Sequence, residues 1–248
     1  MTDYRIAIPS YRRPDRIGTA TLPLLARSGV DLDRVTVFLA DEDEADAYAS
    51  TLADYPAVHV VAGHGPGLAA ARNAIARHYP VGTPLVQIDD DVTRFVRRVD
   101  DKTLADVDDL EAVIRLGFDL AGDTLWCVYP SANPFYMGDR ARTSGLWYAE
   151  GCFFAYVVQG RQHELVVNDH AEDYERSLRF FEARGAVTRL DNYSFVSRFW
   201  EEPGGLTEIR TPHNVEASLA HVHGNWPHLT RRYTDAKGRP NLRLKAIR

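Results

Sequence analysis

The chain has 248 residues, 45% of them hydrophobic and 26% charged, with a formal net charge of −6. That mix belongs to a globular protein with a full core, and the length suits one large α/β domain. It excludes a chain coated throughout in basic surface, and the apolar runs have the length of strands, so no membrane partner is expected.

The chain opens MTDYRIAIPS, without a secretory pattern, and Tyr4–Pro9 reads as a first buried strand. A helix is expected from about Pro14, since proline suits a first turn. Val35–Ala40 is a second apolar strand, Glu42–Asp54 a helix behind the acidic run Asp41–Glu44, and Val58–Ala62 a short third strand. A glycine-rich turn, Gly63–Gly67, leads into an alanine-rich helix over Leu68–His78. Pro84–Ile88 is a fourth strand and runs straight into Asp89-Asp90-Asp91. This alternation predicts a mainly parallel sheet flanked by helices.

The second half predicts a mixed architecture. Asp108–Ala121 is an amphipathic helix, and Leu125–Tyr129 and Leu146–Val158 are strand-rich. Ala171–Arg184 reads as a helix stopped by Gly185, and Val187–Asn192 as another strand. Pro203-Gly204-Gly205 marks a loop, and Ala220–Trp226 alternates like a strand, which would put His221 and His223 on one side. Two cysteines, Cys127 and Cys152, lie in apolar runs and read as core residues, which fits a cytoplasmic setting. The division expected is one domain over 1–228, with halves 1–99 and 100–228, and a tail over 229–248. That tail carries seven basic residues against one acid, while the rest of the chain has 22 against 34. A polyanion partner for the tail is one reading, and a solvated tail the other.

The sharpest chemical signal is the aspartate cluster. Parallel sheets bind ligands at the carboxyl ends of their strands. Adjacent carboxylates repel each other unless a cation neutralises them, and Mg²⁺ or Mn²⁺ commonly bridges a few carboxylates to substrate phosphates. Asp89 and Asp91 have Asp-x-Asp spacing and are the candidate metal ligands. An acidic turn or helix cap is the alternative.

The opening strand with Pro9-Ser10-Tyr11-Arg12-Arg13, the GLAAARN segment and the IDDDV segment together resemble the core of a GT-A glycosyltransferase, a Rossmann-like α/β fold. The resemblance implies a nucleotide-sugar donor held by Pro9, Ser10, Tyr11, Arg13, Asp41, Gly67, Arg72, Asn73 and Asp90, with Glu150 lining the sugar pocket. It implies a general base from Glu172-Asp173, foremost Asp173, and a C-terminal histidine, His223 or His221, completing a manganese or magnesium shell. A zinc site is not expected, because no cysteine pair accompanies these histidines.

More closely, the pattern is similar to the TET-associated glycosyltransferases, a phage-centred family. Glu150-Gly151, Glu172-Asp173 and the histidine-rich segment add to that likeness. It implies UDP-glucose as donor and 5-hydroxymethylcytosine in DNA as acceptor. Arg94, Arg97, Arg98, Arg231, Arg232, Lys237 and Arg239 would then meet phosphate, and Trp147, Tyr148, Trp200 and Trp226 would stack on an extruded base. Two other readings stand beside it: a glycosyltransferase with a protein, glycan or small-molecule acceptor, and a binding module without catalysis. A nucleotidyltransferase ranks lower, for want of a glycine-rich, lysine-bearing loop near the N-terminus.

Overall fold

The computed structural model describes residues 3–197 and 210–245. Four strands come first: β1 (Arg5–Pro9), β2 (Val35–Leu39), β3 (His59–Ala62) and β4 (Pro84–Ile88). They lie in the order β3-β2-β1-β4, all parallel. The helices between them are α1 (Pro14–Thr19), α2 (Thr21–Arg27), α3 (Glu42–Leu52) and α4 (Leu68–His78). The helix expected from Pro14 is two short ones, because Ala20 leaves helical geometry at φ −118° and ψ −82°.

Past β4 the sheet turns mixed. The next elements are β5 (Val92–Arg98), β6 (Leu104–Asp106), α5 (Leu110–Ala121), β7 (Leu125–Tyr129), β8 (Thr143–Gly145), β9 (Phe153–Val157), α6 (Glu172–Arg184) and β10 (Val187–Ser197). The sheet continues β4-β9-β7-β10-β5-β6, with β8 alongside β10. Strand β9 runs antiparallel to both its neighbours, whereas β7 and β10 are parallel to each other. Of the strand-rich run Leu146–Val158 only the last part is strand. Local chemistry sets the helix ends as the sequence implies: the Asp109 side chain accepts from Ala112 N at the start of α5, and Gly185 takes the left-handed turn after α6.

Alternate residues of the central strands feed two cores, as the two-residue period of a strand requires. Ile6 and Ile8 join one core with α2 and α5; Ala7, Phe154 and Tyr156 join another with Ile75 of α4 and Phe180 of α6. The result is a sheet layered between helices.

A third cluster lies outside this sandwich. It is built from α7 (Pro212–Asn225), β11 (Thr230–Thr234) and β12 (Pro240–Leu244). The histidine-rich segment is therefore the end of a helix and not a strand. Thr211 caps that helix and Pro212 opens it, while Leu219, Val222 and Trp226 turn inward at helical spacing against Leu178 and Leu242. The basic C-terminal stretch forms the antiparallel hairpin β11–β12, with Leu242 only 1% exposed. Trp200, the loop Pro203–Gly205 and Arg248 lie outside the described residues. Among the described residues no helix is long and apolar enough to cross a membrane.

Candidate active site

Strand direction assembles the site. Since β9 runs against β4, the end of β4 and the entry to β9 share one edge: Ile88 pairs with Phe153, and Asp89 N donates to Cys152 O at 3.2 Å. Asp89–Asp91 and Glu150–Cys152 thus come side by side. The start of α6 joins them. At Gly151 a Cβ would lie 2.9 Å from Glu172 Oε1 and 3.2 Å from Arg72 Nη2, so a larger residue there would press on the Glu172–Arg72 pair.

Arg72 sits at the centre, 2% exposed. Its Nη2 donates to Asp89 Oδ1 at 2.6 Å and to Gly151 O at 3.0 Å, its Nη1 to Gln87 Oε1 at 3.3 Å, and its Nε lies 3.6 Å from Glu172 Oε1. Glu172 is also held by Arg176, which donates to Ala149 O at 3.0 Å. The resemblance implies Arg72 on the donor and Glu172 beside the base. The structure makes both members of a buried ion-pair chain, Arg176–Glu172–Arg72–Asp89, that aims Asp89. Arg176 was missed, although Glu172 and Arg176 stand at the i,i+4 spacing of a helical ion pair.

The loop after β1 holds the other two aspartates. Ser10 Oγ donates to Asp90 Oδ2 at 2.5 Å and meets Tyr48 OH at 2.7 Å, and Tyr48 OH accepts from Arg13 N at 2.8 Å. Arg13 Nη1 is 3.5 Å from Asp90 Oδ1 and 3.8 Å from Asp91 Oδ2. Ser197, at the end of β10, donates to Asp91 Oδ1 at 2.6 Å. Ser10, Arg13 and Asp90 therefore fasten the β1 loop to the aspartate cluster. Burial, then the Asp91 charge, pushes Asp90 up to about 7 against Arg13 and Ser10. Tyr11 is half-buried beside the Arg12 guanidinium, and Pro9 is buried at the end of β1. Asp41, exposed after β2, caps α3 through Glu44 N at 2.9 Å.

Asp173 and Glu150 complete the carboxylates. Asp173 accepts a hydrogen bond from Tyr148 OH and one from Tyr174 N at 2.8 Å. Burial, then Glu172, raises it to about 6. Glu150 Oε2 is buried and has no hydrogen-bond partner among the described residues. Burial, then Asp173, Asp89 and Asp91 in that order, raises Glu150 to about 8. A Cβ at Gly151 would lie 3.8 Å from Asp89 Oδ2 as well as 2.9 Å from Glu172 Oε1, so the segment after Glu150 touches both the aspartate cluster and the start of α6.

Three expectations change. Asn73, expected on the donor, is engaged within the chain: its Nδ2 donates to Val166 O at 2.8 Å and its Oδ1 accepts from Val166 N at 2.9 Å, clasping the segment before α6. Gly67, at φ +103°, opens α4, but Asp169 already lies against it and accepts from Ala69 N at 2.8 Å. His221 and His223 cannot share a side on α7; His221 is exposed, and His223 Nδ1 lies 2.8 Å from Thr230 Oγ1.

The basic and aromatic residues are also largely occupied. Arg94 holds Asp106 at 2.6 Å, Arg98 pairs with Asp139, Arg232 with Glu216, and Arg239 with Asp235 at 2.8 Å. Arg97, Arg231 and Lys237 are exposed. Trp147 carries the Arg189 guanidinium 3.8 Å from its ring centroid, and Trp226 is in the third cluster.

The donor set suits a hard divalent ion that it does not enclose. Asp89, Asp90, Asp91, Glu150, Glu172 and Asp173 face only Arg13, Arg72 and Arg176 in the contacts above, an excess of carboxyl groups that a cation would offset. Among the described residues no three His, Cys, Asp or Glu side chains form a metal-holding group. Asp89 and Asp91 would hold a metal whose other positions fall to water and phosphate oxygens, the usual manner of Mg²⁺.

Neither a protein-family model nor a curated protein matches the chain. Among solved structures it is similar to S. aureus TarS 1–349, with TM-score 0.54 and 13% identity over 79% of this chain and 59% of that one. A mycobacterial protein gives TM-score 0.54 and 14% identity over 98% and 83%. The mannosyltransferase PcManGT from Pyrobaculum calidifontis, in complex with GDP-Man and Mn²⁺, gives TM-score 0.47 and 15% identity over 71% and 50%. The chain spans 59% and 50% of the TarS and mannosyltransferase structures. The fold is the GT-A-type α/β sheet that the sequence implies.

Proposed function

We propose that the chain is a divalent-metal-dependent glycosyltransferase that moves a sugar from a nucleotide-sugar donor onto a hydroxyl group. The observation that carries this is the convergence of Asp89–Asp91 at the end of β4, Glu150–Cys152 before β9 and the start of α6 at the carboxyl edge of a GT-A-type sheet. A metal bound by Asp89 and Asp91 would stabilise charge building on the departing nucleoside diphosphate. Arg72 holds Asp89 in place, and Ser10 and Arg13 hold the loop that borders the cluster. Asp173 takes the acceptor proton, and its hydrogen bond from Tyr148 orients it for that transfer.

The sequence resemblance points further, to UDP-glucose and to hydroxymethylcytosine in DNA. Arg94, Arg98, Arg232 and Arg239 have carboxylate partners within the chain, which lowers the charge available to phosphate and weighs against that acceptor.

The test is release of nucleoside diphosphate from a panel of UDP- and GDP-sugars with Mn²⁺. Release that needs metal and falls at least 100-fold in Asp91→Asn is expected. Donor binding without any turnover would leave a binding module in its place.

A further inference from the structure

A cleft of about 480 Å³ lies where the sandwich meets the third cluster. Its volume is within the range of small-ligand sites. One wall is the start of α6, with Asp173, Tyr174 and the neighbouring Tyr148; the other is the start of α7 with Val215, and the hairpin with Asp235 and Asn241. The site described above supplies one wall only, so the hairpin and α7 give the cleft its shape.

The hairpin is built to hold that shape. Asp235 Oδ1 accepts from Lys237 N at 2.8 Å and Arg239 N at 2.9 Å, and Arg239 Nε donates to Asp235 Oδ2 at 2.9 Å. Tyr174 OH donates to Leu242 O at 2.7 Å, which ties β12 to α6. Lys245 N donates to Leu229 O at 2.8 Å, closing the base of the hairpin. The basic stretch is thus a wall, with its arginine charge at the cleft balanced by Asp235.

We propose that this cleft receives the acceptor, and that the acceptor is a small polyhydroxylated molecule, a free sugar, glycoside or polyol. The inference rests on the glycosyltransferase reading and on Asp173 as the base. A hydroxyl both donates and accepts, and the lining alternates accordingly: carboxylates of Asp173 and Asp235, the Arg239 guanidinium, and the Asn241 amide. The Tyr148 and Tyr174 rings, with centroids 4.6 Å apart and tilted by 45°, offer apolar surface to the C–H face of a sugar ring. Beyond those tyrosines the described lining carries polar and aliphatic groups and one further aromatic ring, the His170 imidazole. The lining holds two acids, Asp173 and Asp235, against two arginines, Arg210 and Arg239, a balance that fits a neutral acceptor better than a phosphate-bearing strand.

Saturation-transfer NMR with methyl glucosides, N-acetylglucosamine and myo-inositol reads occupancy without turnover. At least one of these should bind the wild-type chain, and Asn241→Trp and Val215→Trp, which fill the cleft from the hairpin and from α7, should each weaken it at least ten-fold. Both variants are checked for an unchanged fold by circular dichroism. Equal binding in the variants, or binding of none of these probes while an oligonucleotide containing hydroxymethylcytosine binds, would overturn the proposal. Calorimetry of UDP- and GDP-sugars with Mn²⁺ is run beside it. Failure there would sink the glycosyltransferase reading separately, because the NMR result does not depend on the donor.

Discussion

Replacing Arg72 with methionine tests the buried ion-pair chain directly. The guanidinium is 2% exposed and holds Asp89 at 2.6 Å, Gly151 O at 3.0 Å and Glu172 at 3.6 Å. Methionine keeps most of the volume, so the loss is chiefly electrostatic. Removing one partner of a buried pair typically costs about 3–5 kcal/mol, because the other charge is left without compensation. Two features pull the value to the low end. Glu172 keeps Arg176, and the Asp89 side chain, 27% exposed, regains some water. We expect a loss of about 3 kcal/mol, which at a urea dependence of about 3 kcal/mol/M lowers the midpoint by roughly 1 M. Urea unfolding followed by tryptophan fluorescence, without metal, measures it. The double variant Arg72→Met/Glu172→Gln should fall short of additivity by about 1–2 kcal/mol, since both changes act on one contact. A single-variant loss below about 1 kcal/mol, or strict additivity, would refute the argument that Arg72 neutralises both carboxylates.

The remaining predictions concern the residues around that chain. Glu150 is raised from 4.5 to about 8, so the folded chain keeps a proton that the unfolded chain releases, and the resulting stability is full below 4.5 and lost as pH rises through about 8. In EDTA, urea midpoints should fall from pH 5 to 9 more steeply for wild type than for Glu150→Gln; parallel profiles would dismiss the shift. Asn73→Ala strands the two Val166 backbone groups and should cost about 1–3 kcal/mol of stability, while calorimetry finds donor affinity unchanged; a weakened donor with intact stability would return Asn73 to the donor site. His223→Ala should leave Mn²⁺ affinity within two-fold by titration calorimetry, roughly 0.4 kcal/mol, and a ten-fold loss would restore it as a ligand. Tyr148→Phe removes the hydrogen bond on Asp173 and should lower kcat about ten-fold, roughly 1.4 kcal/mol of transition-state stabilisation, with donor KM unchanged; full turnover would remove Tyr148 from the mechanism.

The parts of the structure legible in the sequence are those that local chemistry decides. VTVFLA and PLVQI are apolar runs of strand length between turns, and they are β2 and β4. AEDYERSLRFFEARG carries acids at its start and a glycine at its end, and it is α6. The histidine segment failed because Ala220–Trp226 was read alone, where a short window fits either period. Starting at Thr211-Pro212, a cap followed by a first-turn proline, the spacing of Val215, Leu219, Val222 and Trp226 is helical. The hairpin had a local signal too, a turn at Asp235–Gly238 between alternating residues, which the count of positive charges overshadowed.

What the sequence could not disclose is which polar groups consume one another. Arg72 and Asn73 are neighbours on α4, and both read as donor contacts on the resemblance. The rotation of about 100° between successive helical residues sends them to different partners: Arg72 inward to Asp89 and Glu172, Asn73 sideways to Val166. Those partners arrive through the antiparallel entry of β9 and the placement of α6, which no spacing within GLAAARN encodes. The same holds for the basic residues, whose charge means one thing in composition and another once Asp106, Asp139, Glu216 and Asp235 are beside them. Aspartates at the end of a buried strand escape this ambiguity, because burial leaves adjacent carboxylates few ways to coexist without cations. Arg13 and Arg72 supply part of that charge here. The remainder is what the proposed divalent metal would offset.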